Sequence, residues 1–363
     1  MYPTIVGVAL ENILLESHPQ KTEVIVSGRT IRAEKMRERL EKKPAMMQGN
    51  PVKVAKTGMY LGMVISDQGF KDSIDKTAKH RVAKAWAAVA DIKSVINDTR
   101  LARTGWLRSG ITLIRAMIIP SLTYSADIWL AANKEKYVKD EYKSIIYSIL
   151  DLKTNTKFTS VLADLGLPNI MSVVDKLRVN YVNHTLWASG DEKLRETLLE
   201  ERRLLPKNNL LDYADKICEK YKLPAVSEQQ LDKGLVKKQI KMMDEIDNWV
   251  SNVTSPATHD TTSFERLRPS TNFYSLTKRE SQSLLAFNAG ALMLKTAWGD
   301  FHERKNCLAP LCDGQDELEH IKVCHYYKTK WRDDLQIDCK ALAKYLVAVD
   351  RERRQTWRGE CLF

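Results

Sequence analysis

An uninterrupted apolar run of the roughly 20 residues that a membrane-spanning helix requires occurs nowhere in these 363 residues. The N-terminus, Met-Tyr-Pro-Thr-Ile-Val-Gly-Val-Ala-Leu, has no basic start before its apolar stretch, so neither membrane insertion nor secretion is expected. Cysteine is scarce: six in so long a chain are too few for a disulfide scaffold. The expected compartment is therefore a reducing one, nucleus or cytoplasm. Aspartate is missing altogether before Asp67, so no pair of Asp carboxylates can hold a metal ion in that stretch.

What is present points elsewhere. A hydrophobic content of 44% is enough to bury a substantial core, in two or three units. The formal net charge of +11 points to a polyanionic partner, with nucleic acid the commonest. That charge is concentrated: between Lys71 and Arg115 ten Lys and Arg residues, among them Lys76, Lys79, Arg81 and Lys84, face only four Asp. Such a region reads either as a solvated helix face or as a surface that tracks a phosphate backbone.

Residues 21–28, Lys-Thr-Glu-Val-Ile-Val-Ser-Gly, alternate and are rich in β-branched types, which predicts a short strand closed by a Gly turn. A charged helix follows over Arg32–Lys43. Tyr60-Leu-Gly-Met-Val-Ile-Ser66 reads as a second strand ending in the turn Asp67-Gln-Gly69. From Lys71 the pattern is helical, and Ile74, Ala78, Val82, Ala85, Val89 and Ile92 define one apolar face. A further helix over Ile111–Ile119 is expected to stop or kink at Pro120. Tyr124 and Trp129 beyond it are assigned to packing. Helices continue over 137–150, 159–165 and 170–187, with Gly166 and Pro168 as punctuation. Residues 190–260 are charged and broken by Pro206, Pro224 and Pro256, so connecting helices and a linker are expected. Leu276–Phe301 and Lys328–Val349 are again helical.

Near the C-terminal end stand Cys307, Cys312, His320 and Cys324, a C-x4-C-x7-H-x3-C array. Four N or S donors in two close pairs are what a tetrahedral Zn²⁺ requires, and a full protein set leaves no open position for catalysis. The expected role of the zinc is structural. His325 competes with His320 as the fourth ligand. Lys322 and Lys328, with Tyr326, Tyr327 and Trp331, would add phosphate contacts and base stacking around that turn, or pack it against the last helix.

In order and spacing these landmarks resemble the C-terminal part of reverse transcriptases from non-LTR, LINE-like retrotransposons, over about residues 20–190 and 280–325. Lys21-Thr22 is similar to the pair opening the strand after that family's catalytic turn. Tyr60-Leu61-Gly62 looks like the hairpin that grips the primer terminus. Pro120, Leu122, Tyr124, Ala126 and Trp129 resemble the Pro-x-Leu-x-Tyr-x-Ala-x-x-Trp signature of the helical thumb. The Cys-Cys-His-Cys array, with Glu317 and Glu319 before its histidine, is similar to the terminal knuckle.

The resemblance implies a mainly α fold: a helical thumb-like bundle with a small N-terminal β hairpin and a C-terminal zinc knuckle. It implies a palm remnant and primer-grip hairpin over 1–70, a thumb over 71–205 and a charged helical connector over 206–263. A helical segment over 264–305, the knuckle over 306–327 and a basic helix and tail over 328–363 complete it. Lys21 would lie by analogy near the departing pyrophosphate. The family's Tyr-Ala-Asp-Asp turn has no counterpart before Lys21, and Asp333-Asp334, the one Asp-Asp pair, lies far past the thumb. On this reading the chain starts at or just after the catalytic turn. It would hold an RNA or DNA template-primer without polymerising, and would use Mg²⁺ only if the rest of the palm came from elsewhere. The alternative expectation is a zinc-stabilised helical module that binds a protein, such as the missing polymerase half.

Overall fold

A computed structural model describes residues 22–47, 49–60, 62–97, 105–130, 132–152, 156–205, 209–253, 276–288, 343–344, 346–349 and 351. The protein is mainly helical, with a few small strands near its N-terminus. The chain divides into two compact units, one made of Met1–Lys84 and Leu122–Val138, the other of Ala85–Ser121 and Lys139–Phe363.

In the first unit, strand β1 (Glu23–Val24) pairs in parallel with β4 (Lys53–Val54), and β2 (Met46–Met47) pairs antiparallel with β3 (Asn50–Pro51). Between β1 and β2 runs helix α1 (Ile31–Lys42), starting where the Thr30 hydroxyl accepts the Ala33 amide at 3.2 Å. Arg37 on α1 donates to the Gly28 carbonyl at 2.6 Å and pairs with buried Asp67 at 3.4 Å, fixing the helix to both neighbouring turns.

The expected single strand over Tyr60–Ser66 is instead the second half of a hairpin. Strand β5 (Thr57–Tyr60) and strand β6 (Met63–Ser66) pair antiparallel with Tyr60 opposite Met63. The apolar residues run on both sides of the turn with only Gly62 between them, which is why the segment reads as one strand. Gly62, at φ +81°, supplies the left-handed conformation that a two-residue turn demands. After Gly69, also left-handed at φ +99°, helix α2 (Phe70–Ile96) begins. The six residues of its expected apolar face, Ile74 to Ile92, are all buried.

Helix α3 (Trp106–Leu113) does not end at Pro120. It passes through a π-helical stretch, Ile114–Ile118, into the short helix α4 (Ile119–Thr123). Proline has no N–H to give to the carbonyl four residues back, and its ring crowds that carbonyl. Widening the preceding turn, with the Ile119 amide donating to Ile114 five residues back, carries the chain past it. Helices α5 (Ala126–Trp129) and α6 (Ala132–Leu150) follow.

In the second unit, helix α7 (Phe158–Leu165) closes on Gly166 at φ +59°, with the Leu167 amide reaching back to Leu162 at 2.9 Å. Then come α8 (Ile170–Trp187), α9 (Glu192–Leu204), α10 (Leu210–Lys220) and α11 (Lys233–Val253). The expected connector over 206–263 is core material through much of its length. Leu211, Ala214, Ile217, Cys218 and Tyr221, with Val236 and Ile240, bury themselves against Val179, Val182 and Leu186 of α8. Asn183 clamps the loop between α10 and α11 by exchanging two 2.8 Å hydrogen bonds with the Leu231 backbone. Helix α12 (Lys278–Asn288) packs on α7 and α3, and Lys278 bonds Asp151 at 2.5 Å and Asn97 at 3.0 Å. The rest of the helix expected over 276–301 lies outside the described residues.

Candidate nucleic-acid interface

The hairpin is attached to α2 by a regular ladder. The Ser73 hydroxyl accepts the Ser66 amide at 2.9 Å, the Thr77 hydroxyl accepts the Val64 amide at 2.8 Å, and the Arg81 guanidinium donates to the Gly62 carbonyl at 2.5 Å. Steps of four residues on a helix advance about 6 Å, and steps of two on a strand about 6.6 Å. The two repeats therefore stay in register over the length of β6. The helix satisfies backbone groups that a strand edge otherwise leaves unpaired. A small hydroxyl is required at the first two rungs, and a long cation at the third, where the hairpin tip overhangs the helix.

At that tip the packing is close. A Cβ built on Gly62 would lie 1.9 Å from Arg81 Nη2 and 2.7 Å from Tyr124 Cε1, so a side chain there would force Arg81 and Tyr124 to shift. The Arg81 guanidinium also lies over the Tyr124 ring, 4.4 Å from its centroid. Burial lowers the Arg81 pKa from its ordinary value, an effect that Tyr124 partly offsets.

The residues expected to contact phosphate divide accordingly. Arg81 is buried and committed to Gly62 and Tyr124, which corrects its assignment as a surface cation. The sequence places it on the helix but cannot show that the hairpin lies over it. Lys76 pairs with Asp72 at 2.7 Å and reaches the buried Ser66 hydroxyl at 3.1 Å. Hydrogen bonds from Lys76 and then from Ser66 hold the Asp72 carboxyl below the usual carboxylate range. Lys79 and Lys84 are exposed. Lys84 follows Arg81 by three residues, one helical turn beyond the tip and on the same face. His80, next to Arg81, has its pKa lowered from the ordinary value, first by burial and then by the charges of Lys84 and Arg81.

Tyr60 is exposed; Tyr124, assigned to packing, does pack but keeps about half of its surface exposed. Its ring packs sideways on Gly62 and Arg81 rather than inward. Lys21, Leu61, the side chain of Trp129, the four cluster ligands Cys307, Cys312, His320 and Cys324, and Lys322 and Lys328 lie outside the described residues. Among the described residues no group of three or more His, Cys, Asp or Glu side chains could hold a metal ion. No helix among them is long and apolar enough to cross a membrane. The ladder residues Ser73 and Thr77 were missed by sequence reasoning, although their four-residue spacing opposite the two-residue spacing of β6 is the signal that marks them.

Fold and surface together define a mainly helical, basic protein with a β-hairpin docked on a long helix. No protein-family model, no curated protein and no solved structure matches the chain.

Proposed function

We propose that this chain is the nucleic-acid-holding portion of a retrotransposon RNA-directed DNA polymerase of the non-LTR kind. On this reading it engages a template-primer through the hairpin, the basic helix α2 and a C-terminal zinc knuckle. The observation that carries the proposal is the Tyr60–Gly62 tip, pinned over α2 by Arg81 and followed along the same helix face by exposed Lys84. The surroundings are basic, with fourteen Lys and Arg against seven Asp and Glu over residues 22–84. A rigid tip beside exposed cations suits a duplex end, where phosphate contacts position the strand without reading its sequence.

Filter binding of an RNA-template, DNA-primer duplex at two salt concentrations tests this. Affinity is expected to fall steeply with salt, and Lys79→Ala with Lys84→Ala to reduce the salt slope by about one for each phosphate that no longer meets a cation. Primer extension with Mg²⁺ is expected to give no incorporation by this chain alone, because no Asp precedes Asp67. Absence of salt-dependent binding would leave the protein-interaction reading. One feature favours that second reading: Leu194, Leu199 and Leu204 of α9, with Leu205, present exposed apolar side chains.

A further inference from the structure

Helix α11 opens on charge of one sign. Lys233, Lys237, Lys238 and Lys241 are exposed, and no acidic residue follows Lys233 before Asp244. Lys233, Lys237 and Lys241 are spaced by fours, so they form a row along one face in steps of about 6 Å. No described residue forms an ion pair with Lys233, Lys237 or Lys238, and Lys241 meets the exposed Glu245 at 3.7 Å. Beside the row, Leu235 and Met242 are 48% and 41% exposed, two turns apart with Lys238 between them. Val236 and Ile240, on the opposite face, are buried in the core that α8 shares, so the row is carried on a well-anchored element. Resting on the nucleic-acid reading above, we propose that this face of α11 is a second binding surface, for an unpaired nucleic-acid strand.

The row works against the helix that carries it. Like charges four residues apart repel across one turn, and Lys233 lies in the first turn, where the helix dipole favours an anion. The nearest acid in sequence, Asp232, caps the Leu235 amide at 2.7 Å. Residue choices that cost an element stability concentrate where its surface has a function. Helix α9 sets the contrast, because its four cations are interspersed with four Glu, as on an ordinary solvated face. An uncompensated row of cations fits a polyanion, and the exposed apolar pair decides which one. A duplex keeps its base faces stacked and offers such a surface phosphates alone. An unpaired strand offers phosphates to the lysines and base faces for Leu235 and Met242 to cover. An anionic membrane requires a wide apolar face, and on α11 that face is spent on the core.

The test uses the full chain and fluorescence anisotropy of a short RNA without internal pairing, run beside the RNA-template, DNA-primer duplex and phosphatidylserine-containing vesicles. Lys233→Gln, Lys237→Gln, Lys238→Gln and Lys241→Gln together are expected to weaken single-strand binding about 10-fold or more. They are expected to lower its salt slope by about 3, at about 0.7 for each lost phosphate contact. Gln has nearly the helix propensity of Lys, so helical circular dichroism is expected to be unchanged. Replacing Lys193, Arg195, Arg202 and Arg203 of α9 by Gln removes the same charge, and is expected to change single-strand affinity by less than about 2-fold, since distant exposed charges are screened. Leu235→Ser with Met242→Ser is expected to weaken binding and leave the salt slope unchanged. Equal losses from the α11 and α9 sets would show net charge alone at work and overturn the surface, as would full single-strand affinity in the Leu235, Met242 variant. Salt-dependent duplex binding with no single-strand binding, or a loss in the α11 set confined to vesicles, would overturn it and leave the nucleic-acid reading standing. No binding to either nucleic acid would overturn both.

Discussion

Gly62 stands where two constraints meet, a left-handed backbone at φ +81° and a guanidinium nitrogen 1.9 Å from where a Cβ would be. Gly62→Ala is therefore expected to cost about 1–3 kcal/mol, since strain of that kind is tolerated only where the surroundings enforce it. A lowered thermal midpoint, with helical content retained below the transition, is the measurement. Arg81 and Lys79, two residues apart on one basic helix, should part company. Arg81→Ala removes the third rung of the ladder and the contact with Tyr124, so it should destabilise the protein. Lys79→Ala, at an exposed site, should change stability by less than about 0.5 kcal/mol and act only on binding. Equal stability losses in the two variants would contradict the burial that separates them. The sequence made the Tyr60-Leu61-Gly62 triplet legible but not its partner, because a charge count cannot distinguish a cation facing water from one facing a carbonyl.

The elements were legible where one periodicity ran unbroken and illegible where two signals competed. The face from Ile74 to Ile92 announces α2 by its own spacing, and all six residues are buried. Pro120 argued for a stop or a kink, and of the two it is not a stop: the π-helical turn over Ile114–Ile118 accommodates the proline. Over residues 206–263 prolines and charge argued for a connector, whereas each of the helices there keeps one apolar face that α8 covers. Leu211, 1% exposed, lies at the centre of that contact. Leu211→Ala is expected to cost about 2–5 kcal/mol, as for other large-to-small changes in a packed core. A change within about 0.5 kcal/mol, typical of an exposed site, would return the segment to connector status.

The joint between α8 and α11 carries a pH dependence. Asp244 on α11 accepts the Asn169 amide at 3.0 Å at the start of α8, and burial, outweighing that bond, raises its pKa above the model-compound value of 3.8. A raised folded-state value means that the unfolded chain ionises this carboxyl more readily. Its ionisation therefore costs nothing well below the unfolded value. The cost grows as pH rises from there through the folded value and is complete above it. Asp244→Asn keeps an oxygen to accept the amide and removes the charge. It is expected to raise the thermal midpoint at neutral pH and to lose that advantage below about pH 4. A substitution that destabilises at neutral pH and not below about pH 4 would show that Lys220, whose charge acts in the opposite direction, dominates instead.

For the whole molecule, charge and metal make separable demands. Net charge was legible at once, and so was its concentration toward the N-terminal half, because both are sums over residues and need no geometry. The Cys307, Cys312, His320, Cys324 array was legible for a different reason: ligand spacing is itself a statement about geometry. Our proposal therefore requires that the purified chain carry about one equivalent of zinc. Cys312→Ser and Cys324→Ser should each remove it, and His320→Ala should do so unless His325 substitutes. Because the proposed site is structural, loss of the metal should lower the stability of the C-terminal part and its contribution to nucleic-acid binding. The hairpin ladder of Ser73, Thr77 and Arg81 does not involve the cluster, so salt-dependent duplex binding through α2 should survive chelation. Elemental analysis of the wild type and the Cys variants, run beside that binding measurement, separates the two. Metal-free protein from a zinc-replete preparation would remove the knuckle from the proposal, whereas zinc loss that also abolished all duplex binding would show that the basic helix does not hold nucleic acid without the cluster.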